Sequence, residues 1–132
     1  MSTPPLRILV VDDNADAAGM LKVLFRCEGY EAHIALDGPT AIEAAKLALP
    51  DVVVLDLTLP GMSGAEVAAK LRSLPELSAC RLVAVTGHSE DCLPSPSPFD
   101  RHFQKPVVHD DLLGYLTGIA AVPPPNFPAS VA

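Results

Sequence analysis

The chain is poor in aromatic side chains, in cysteine and in positive charge, and each shortage removes a class of protein. Aromatic positions make up only 5% of the 132 residues, yet 49% are hydrophobic. That is apolar material for one compact core in a chain too short for two. The three cysteines, Cys27, Cys80 and Cys92, are odd in number and lack CxxC spacing. Neither a disulfide framework nor a zinc knuckle is expected, and a reducing cytosol fits. Lys and Arg total 9 against 16 Asp and Glu, for a formal net charge of -7. This balance argues against a nucleic-acid or anionic-membrane surface. No segment approaches the ~18 consecutive apolar residues of a membrane span, and the start has no apolar stretch behind a basic region. The expectation is a soluble, acidic, cytoplasmic protein.

What the chain has in excess is proline, 14 in all. The prolines gather at Pro4 and Pro5, at Pro94, Pro96 and Pro98, and at Pro123, Pro124, Pro125 and Pro128. The outer clusters frame an N-terminal lead, 1–5, a domain at 6–121, and a Pro-rich semi-rigid tail, 122–132. Inside those limits, short β-branched runs alternate with segments of helical period. The strand candidates are Leu6 to Val11, Glu31 to Leu36, Asp51 to Leu57, Arg81 to Thr86 and, more weakly, Arg101 to Gln104. Three of them lack apolar/polar alternation, so both faces are buried, as in a parallel sheet covered by helices. The helix candidates are Ala15 to Glu28 closed by Gly29, Pro39 to Leu49, Ser63 to Leu74 opened by a capping box, and about Asp110 to Leu116. Strand and helix in alternation predict a doubly wound α/β fold.

In such a sheet, ligands bind beyond the carboxyl ends of the strands. The predicted strands end in Asp12-Asp13-Asn14, Asp56-Leu57-Thr58, Thr86-Gly87 and Lys105-Pro106. Asp56 lies inside VVVLDLTL, where an ionised carboxylate is costly without a compensating cation. Asp12 and Asp13 add repulsion. A hard divalent ion relieves both problems, and an oxygen-only carboxylate cluster favours Mg2+ with room for a phosphoryl oxygen. Asp56 is then a candidate nucleophile. Lys105 can supply fixed positive charge and Thr86 a hydroxyl donor to the transferring phosphoryl group.

VVDDN, VLDLTLPGMSG, VAVTG and FQKPV together resemble the receiver domain of two-component response regulators, in order and approximate spacing, across about residues 6 to 117. The resemblance implies a flavodoxin-like five-stranded parallel sheet of order 2-1-3-4-5. It implies that Asp56 is the phosphoacceptor and that Asp12 and Asp13, with the Thr58 main-chain carbonyl, hold Mg2+ beside it. By the same resemblance Thr86 is the switch hydroxyl and Lys105 binds the phosphoryl group. The partner implied is a sensor histidine kinase or a histidine phosphotransfer protein. His102 stands three before Lys105, where many members carry Tyr or Phe, a departure at the family's aromatic switch.

Plainer readings exist for single residues. An Asp pair before a helix can be a cap, and Thr86 and Lys105 alone read as a strand-end hydroxyl and a surface lysine. His33, His88 and His109 have no metal-ligand spacing, and the cysteines read as small buried hydrophobes. Leu21, Leu24 and Phe25 form a helix stripe assigned to core. Two other functions compete: an aspartyl-phosphate phosphohydrolase, which needs an acid where Thr58 stands, and a non-phosphorylated pseudo-receiver scaffold. With only the Pro-rich tail after the domain, a stand-alone receiver or phosphorelay shuttle is expected, with a piece of a hybrid kinase as the alternative. Finally, Pro94, Pro96 and Pro98 bias Leu93, Ser95 and Ser97 towards extended backbone. The fourth helix, between the fourth and fifth strands, is therefore expected to be short or absent.

Overall fold

A computed structural model describes residues 5–59, 61–86, 99–105 and 109–120. The described elements are β1 (Arg7–Val11), α1 (Ala15–Cys27), β2 (Glu31–Ala35), α2 (Gly38–Ala48), β3 (Val52–Asp56), α3 (Gly64–Arg72), a 3-10 turn (Pro75–Leu77), β4 (Arg81–Thr86), β5 (Arg101–Gln104) and α4 (His109–Ala120). All strand pairs are parallel, and the sheet order is β2-β1-β3-β4-β5. The doubly wound, flavodoxin-like order expected from the sequence is the one observed. The expectation of a short or absent helix between β4 and β5 concerns residues 87–98, which lie outside the described residues.

The continuous apolar runs have the predicted cause. Each residue of β3 is buried, because successive side chains of a strand point to opposite faces and both faces are covered. Leu9, Val11, Val53, Leu55, Leu82 and Ala84 pack towards Ala41 and Ala45 of α2 and Val67, Ala68 and Leu71 of α3. Their neighbours Ile8, Val10, Val52, Val54, Val83 and Val85 pack towards Ala18 and Phe25 of α1 and Leu112 and Leu116 of α4. Phe25 is fully buried, with Leu21 packed against the same cluster, as the stripe on α1 predicts, while Leu24, its third member, is only half-buried.

Helix ends follow local chemistry. Asn14 caps α1 by accepting the Asp16 and Ala17 N–H groups, Asp37 caps α2 through Thr40, and Ser63 caps α3 through Glu66, each satisfying donors the helix cannot. Gly29, at φ +89, ends α1; this left-handed turn is cheap only for glycine. Two details differ from expectation. The segment after α3 tightens into the 3-10 turn at Pro75–Leu77, whose single turn carries no periodic signal. Cys27 is exposed while Cys80 is buried; Cys27 stands two residues beyond buried Phe25 on α1, about 200° round the helix, and so on the face away from the core.

Candidate functional site

Strand register brings the chemistry together. Val11 pairs with Leu55, so Asp12 and Asp56 leave adjacent strands side by side. Asp56 pairs with Val85, so Thr86 follows on the next strand, and Thr86 pairs with Gln104, so Lys105 follows on the last. Four residues scattered over the chain thus emerge from the carboxyl ends of β1, β3, β4 and β5.

Asp12 and Asp56 are buried, with Asp13 exposed beside them, and the three offer carboxylate oxygens within 4.8 Å of one another. Lys105 reaches in from the last strand. Its Nζ donates to Asp56 Oδ2 at 2.9 Å and lies 3.9 Å from Asp12 Oδ2. The Lys105 N–H also donates to the Thr86 carbonyl at 2.7 Å, so the backbone that carries the ammonium is tied to β4. Thr86 itself is buried at the end of β4.

The two buried carboxylates are aimed by their own chain. The Asn14 N–H donates to Asp12 Oδ1 and the Thr58 N–H to Asp56 Oδ1, both at 2.9 Å. Each is a side chain accepting from the backbone two residues on, a turn that aspartate favours. Asn14 was not singled out as a site residue from the sequence, although Asp-x-Asn ahead of a helix is its signal: the same residue caps α1 and orients Asp12. Thr58 was singled out for its carbonyl, and the described contact is made by its N–H.

Behind Asp56, α3 comes unusually close. A Cβ on Gly64 would stand 2.7 Å from the Asp56 carbonyl oxygen and 2.7 Å from Leu57 Cα. The Gly64 N–H donates to the Leu57 carbonyl at 3.1 Å. Glycine is thus required by close approach.

The site is anionic, since one ammonium faces three carboxylates. Burial pushes Asp12 above the usual carboxylate range, and neighbouring Asp56 and Asp13 add to it, against the lowering effects of the Asn14 N–H and Lys105. For Lys105, burial pulls the ammonium down, but its hydrogen bond to Asp56 and the charges of Asp56, Asp12 and Asp13 outweigh that and raise it. The donor set fits a hard divalent cation: three carboxylates, no nitrogen or sulfur, two of them nearly withdrawn from water.

The response regulator receiver domain family matches residues 8–96, more than half of the chain. The chain belongs to this family. This receiver is 38% identical over 113 residues to the DNA-binding response regulator MtrA of Mycobacterium tuberculosis, covering 86% of the chain and 50% of MtrA. It therefore spans about half the length of that relative. Among solved structures it is similar to a CheY-like receiver domain from Methylobacillus flagellatus, with a TM-score of 0.80 and 31% identity over 87% of this chain and 98% of that one. It is also similar to the response regulator TrrA of Thermotoga maritima, solved in complex with Mg2+-BeF, with a TM-score of 0.77 and 31% identity over 86% of this chain and 98% of that one. A receiver of this family is the phosphoacceptor element of two-component signalling.

The remaining sequence candidates are dispersed. His102 lies in β5 with its ring 5.6 Å from Phe99, edge to face. His33 is half exposed and 3.9 Å from Glu31 on the same strand. His109 opens α4 at an exposed position. His88 and Cys92 lie outside the described residues. No helix among the described residues is long and apolar enough to cross a membrane.

Proposed function

We propose that this receiver, within the limits 6–121, takes a phosphoryl group onto Asp56 from the phosphohistidine of a sensor histidine kinase or histidine phosphotransfer protein, and that the aspartyl phosphate changes which partner it binds. The observation that carries this reading is the convergence of Asp12, Asp13 and Asp56 with the Lys105 ammonium 2.9 Å from Asp56 Oδ2.

An Asp56 carboxylate oxygen forms the new bond to phosphorus as the P–N bond to the donor imidazole breaks. The electron pair of that bond goes to the imidazole nitrogen, which is protonated from solvent. Lys105 offers its ammonium to a phosphoryl oxygen, and the Thr86 hydroxyl offers a donor to another. The Thr58 N–H holds Asp56 Oδ1, so the carboxylate is oriented before the donor arrives. Mg2+, held by Asp12, Asp13, Asp56 and the Thr58 main-chain carbonyl, would supply charge neutralisation for the carboxylates and the phosphoryl oxygens. The Mg2+-BeF complex of TrrA supports that choice of ion.

On this reading the protein is not an enzyme acting on an external substrate: it phosphorylates itself from a donor and loses the phosphoryl group to water. The net charge of -7 supports a domain that makes no nucleic-acid or membrane contact of its own and works in the cytoplasm, any DNA binding in longer relatives residing elsewhere. The test is phosphate incorporation from acetyl phosphate with Mg2+ present. Asp56→Asn, which keeps shape and loses the nucleophile, is expected to abolish incorporation without loss of fold. Wild-type labelling in that variant would place the acceptor elsewhere.

A further inference from the structure

Arg72 ends α3 at the edge of the sheet away from the carboxylates. One guanidinium nitrogen donates to the Cys80 carbonyl at 2.7 Å, just ahead of β4, and the other to Asp100 Oδ2 at 2.5 Å. Asp100 in turn grips β4. Its N–H donates to the Leu82 carbonyl at 2.8 Å, and its Oδ2 accepts the Leu82 N–H at 2.8 Å. Both main-chain groups that Leu82 turns towards β5 are thus taken by one residue. The Arg72 and Asp100 side chains are 29% and 32% exposed, so this charge-assisted hydrogen bond is partly shielded from water.

The position of this pair matters because of what β5 is. Among the described residues it is a four-residue edge strand, bonded on one side only, and Phe103 is its one buried residue. A short ladder, the Phe103 side chain and buried Phe99 just ahead of the strand fix where it lies along its neighbour. Asp100 immediately precedes β5 and Lys105 immediately follows it. A strand advances ~3.3 Å per residue, so a slip of one residue along β4 would break the Lys105 N–H bond to the Thr86 carbonyl and carry the Lys105 ammonium away from Asp56. Arg72 also joins this end of β5 to α3, whose first residue, Gly64, packs on the Asp56 main chain.

We propose that Arg72 and Asp100 are positioning residues for Lys105. They seat the start of β5 against β4 and α3, so that the ammonium at the far end of the strand arrives at Asp56. This inference rests on the phosphoacceptor reading of Asp56 and Lys105.

The experiment measures the initial rate of phosphate incorporation from acetyl phosphate by the full chain with Mg2+, together with Mg2+ affinity by calorimetric titration. The variants are Arg72→Ala, Asp100→Asn, Lys105→Ala and the doubles Arg72→Ala/Lys105→Ala and Asp100→Asn/Lys105→Ala. Asp100→Asn keeps an oxygen for the Leu82 N–H and loses the charge that holds Arg72, so it carries the test even if Arg72→Ala fails to fold. Each single variant at Arg72 or Asp100 is expected to slow incorporation by about 10-fold or more, the scale of an ångström-level misplacement of a reacting group. Mg2+ affinity should be unchanged, since Asp12, Asp13 and Asp56 are untouched. In the Lys105→Ala background the same changes should add nothing, because the group they position is gone. Wild-type rates in Asp100→Asn, or an equal loss with and without Lys105, would overturn the positioning role alone. A wild-type chain that incorporates no phosphate would remove the phosphoacceptor reading and this inference with it, whereas Lys105→Ala at the wild-type rate would remove the role of Lys105, and so this inference, while leaving Asp56 as the acceptor.

Discussion

Lys105 and Asp56 stand 49 positions apart in the chain and 2.9 Å apart in space. The contact joins the last strand of the sheet to its centre across β4, and it puts the site's ammonium on the carboxylate proposed to carry the phosphoryl group. Removing it should separate two properties. Lys105→Ala is expected to leave Mg2+ binding at least as strong, since a competing cation has been removed from Asp56 and Asp12, while phosphate incorporation slows. Calorimetric titration with Mg2+ and labelling from acetyl phosphate measure the two. Equal incorporation by variant and wild type would reduce Lys105 to a surface residue.

Asp13 is the exposed member of the carboxylate cluster, so it can be replaced without disturbing the core. Asp13→Ala is expected to fold normally and to bind Mg2+ more weakly, since two carboxylates make a poorer site than three. EDTA should block phosphate incorporation by the wild type. Undiminished incorporation in EDTA would exclude the metal role of the acidic pair.

Gly64→Ala tests the approach of α3 to β3. The added methyl would meet backbone at 2.7 Å on two sides, and backbone cannot give way as a side-chain tip can. We expect a destabilisation of about 1–3 kcal/mol, the usual cost of overpacking, read as a lower denaturant midpoint. Phosphate incorporation should fall as well, because the displaced atoms belong to Asp56 and Leu57. An unchanged midpoint would mean that α3 retreats freely.

The cysteines should differ in reactivity. Burial pushes the Cys80 thiol up to about 12 from 9.0, while Cys27 is exposed. In a Cys92→Ser background, a thiol reagent at neutral pH should modify Cys27 in the native protein and Cys80 only after unfolding. The same shift has a sign for stability. Between pH 9.0 and about 12, the unfolded chain loses the Cys80 proton and the folded chain keeps it, so the contribution of Cys80 to stability falls as pH rises. The gap in denaturant midpoint between wild type and Cys80→Ala should narrow across that range. Rapid native modification of Cys80 would contradict its burial.

The strands, three of the four described helices and the residues at the strand ends were legible in the sequence because their signals are local. An uninterrupted run such as Val52–Asp56 declares a strand covered on both faces, Ser63 followed by Glu66 declares a helix start, and a lone aspartate at the end of an apolar run declares a charge in need of a partner. The start of the fourth, α4, was legible too, though its far end ran on to Ala120, past the expected Leu116. Tertiary structure decided what depends on pairing across the chain. Packing made Asp12 buried and left Asp13 exposed, whereas the turns that aim Asp12 and Asp56 at backbone N–H groups two residues on are local. Register delivered Lys105 to Asp56. Nothing local to Arg72 or Asp100 announces that they meet, because their contact exists only when α3, β4 and β5 are already packed. Period and capping are properties of a few neighbouring residues, whereas the geometry of a site at the ends of four strands is set by hydrogen-bond ladders between segments far apart in sequence.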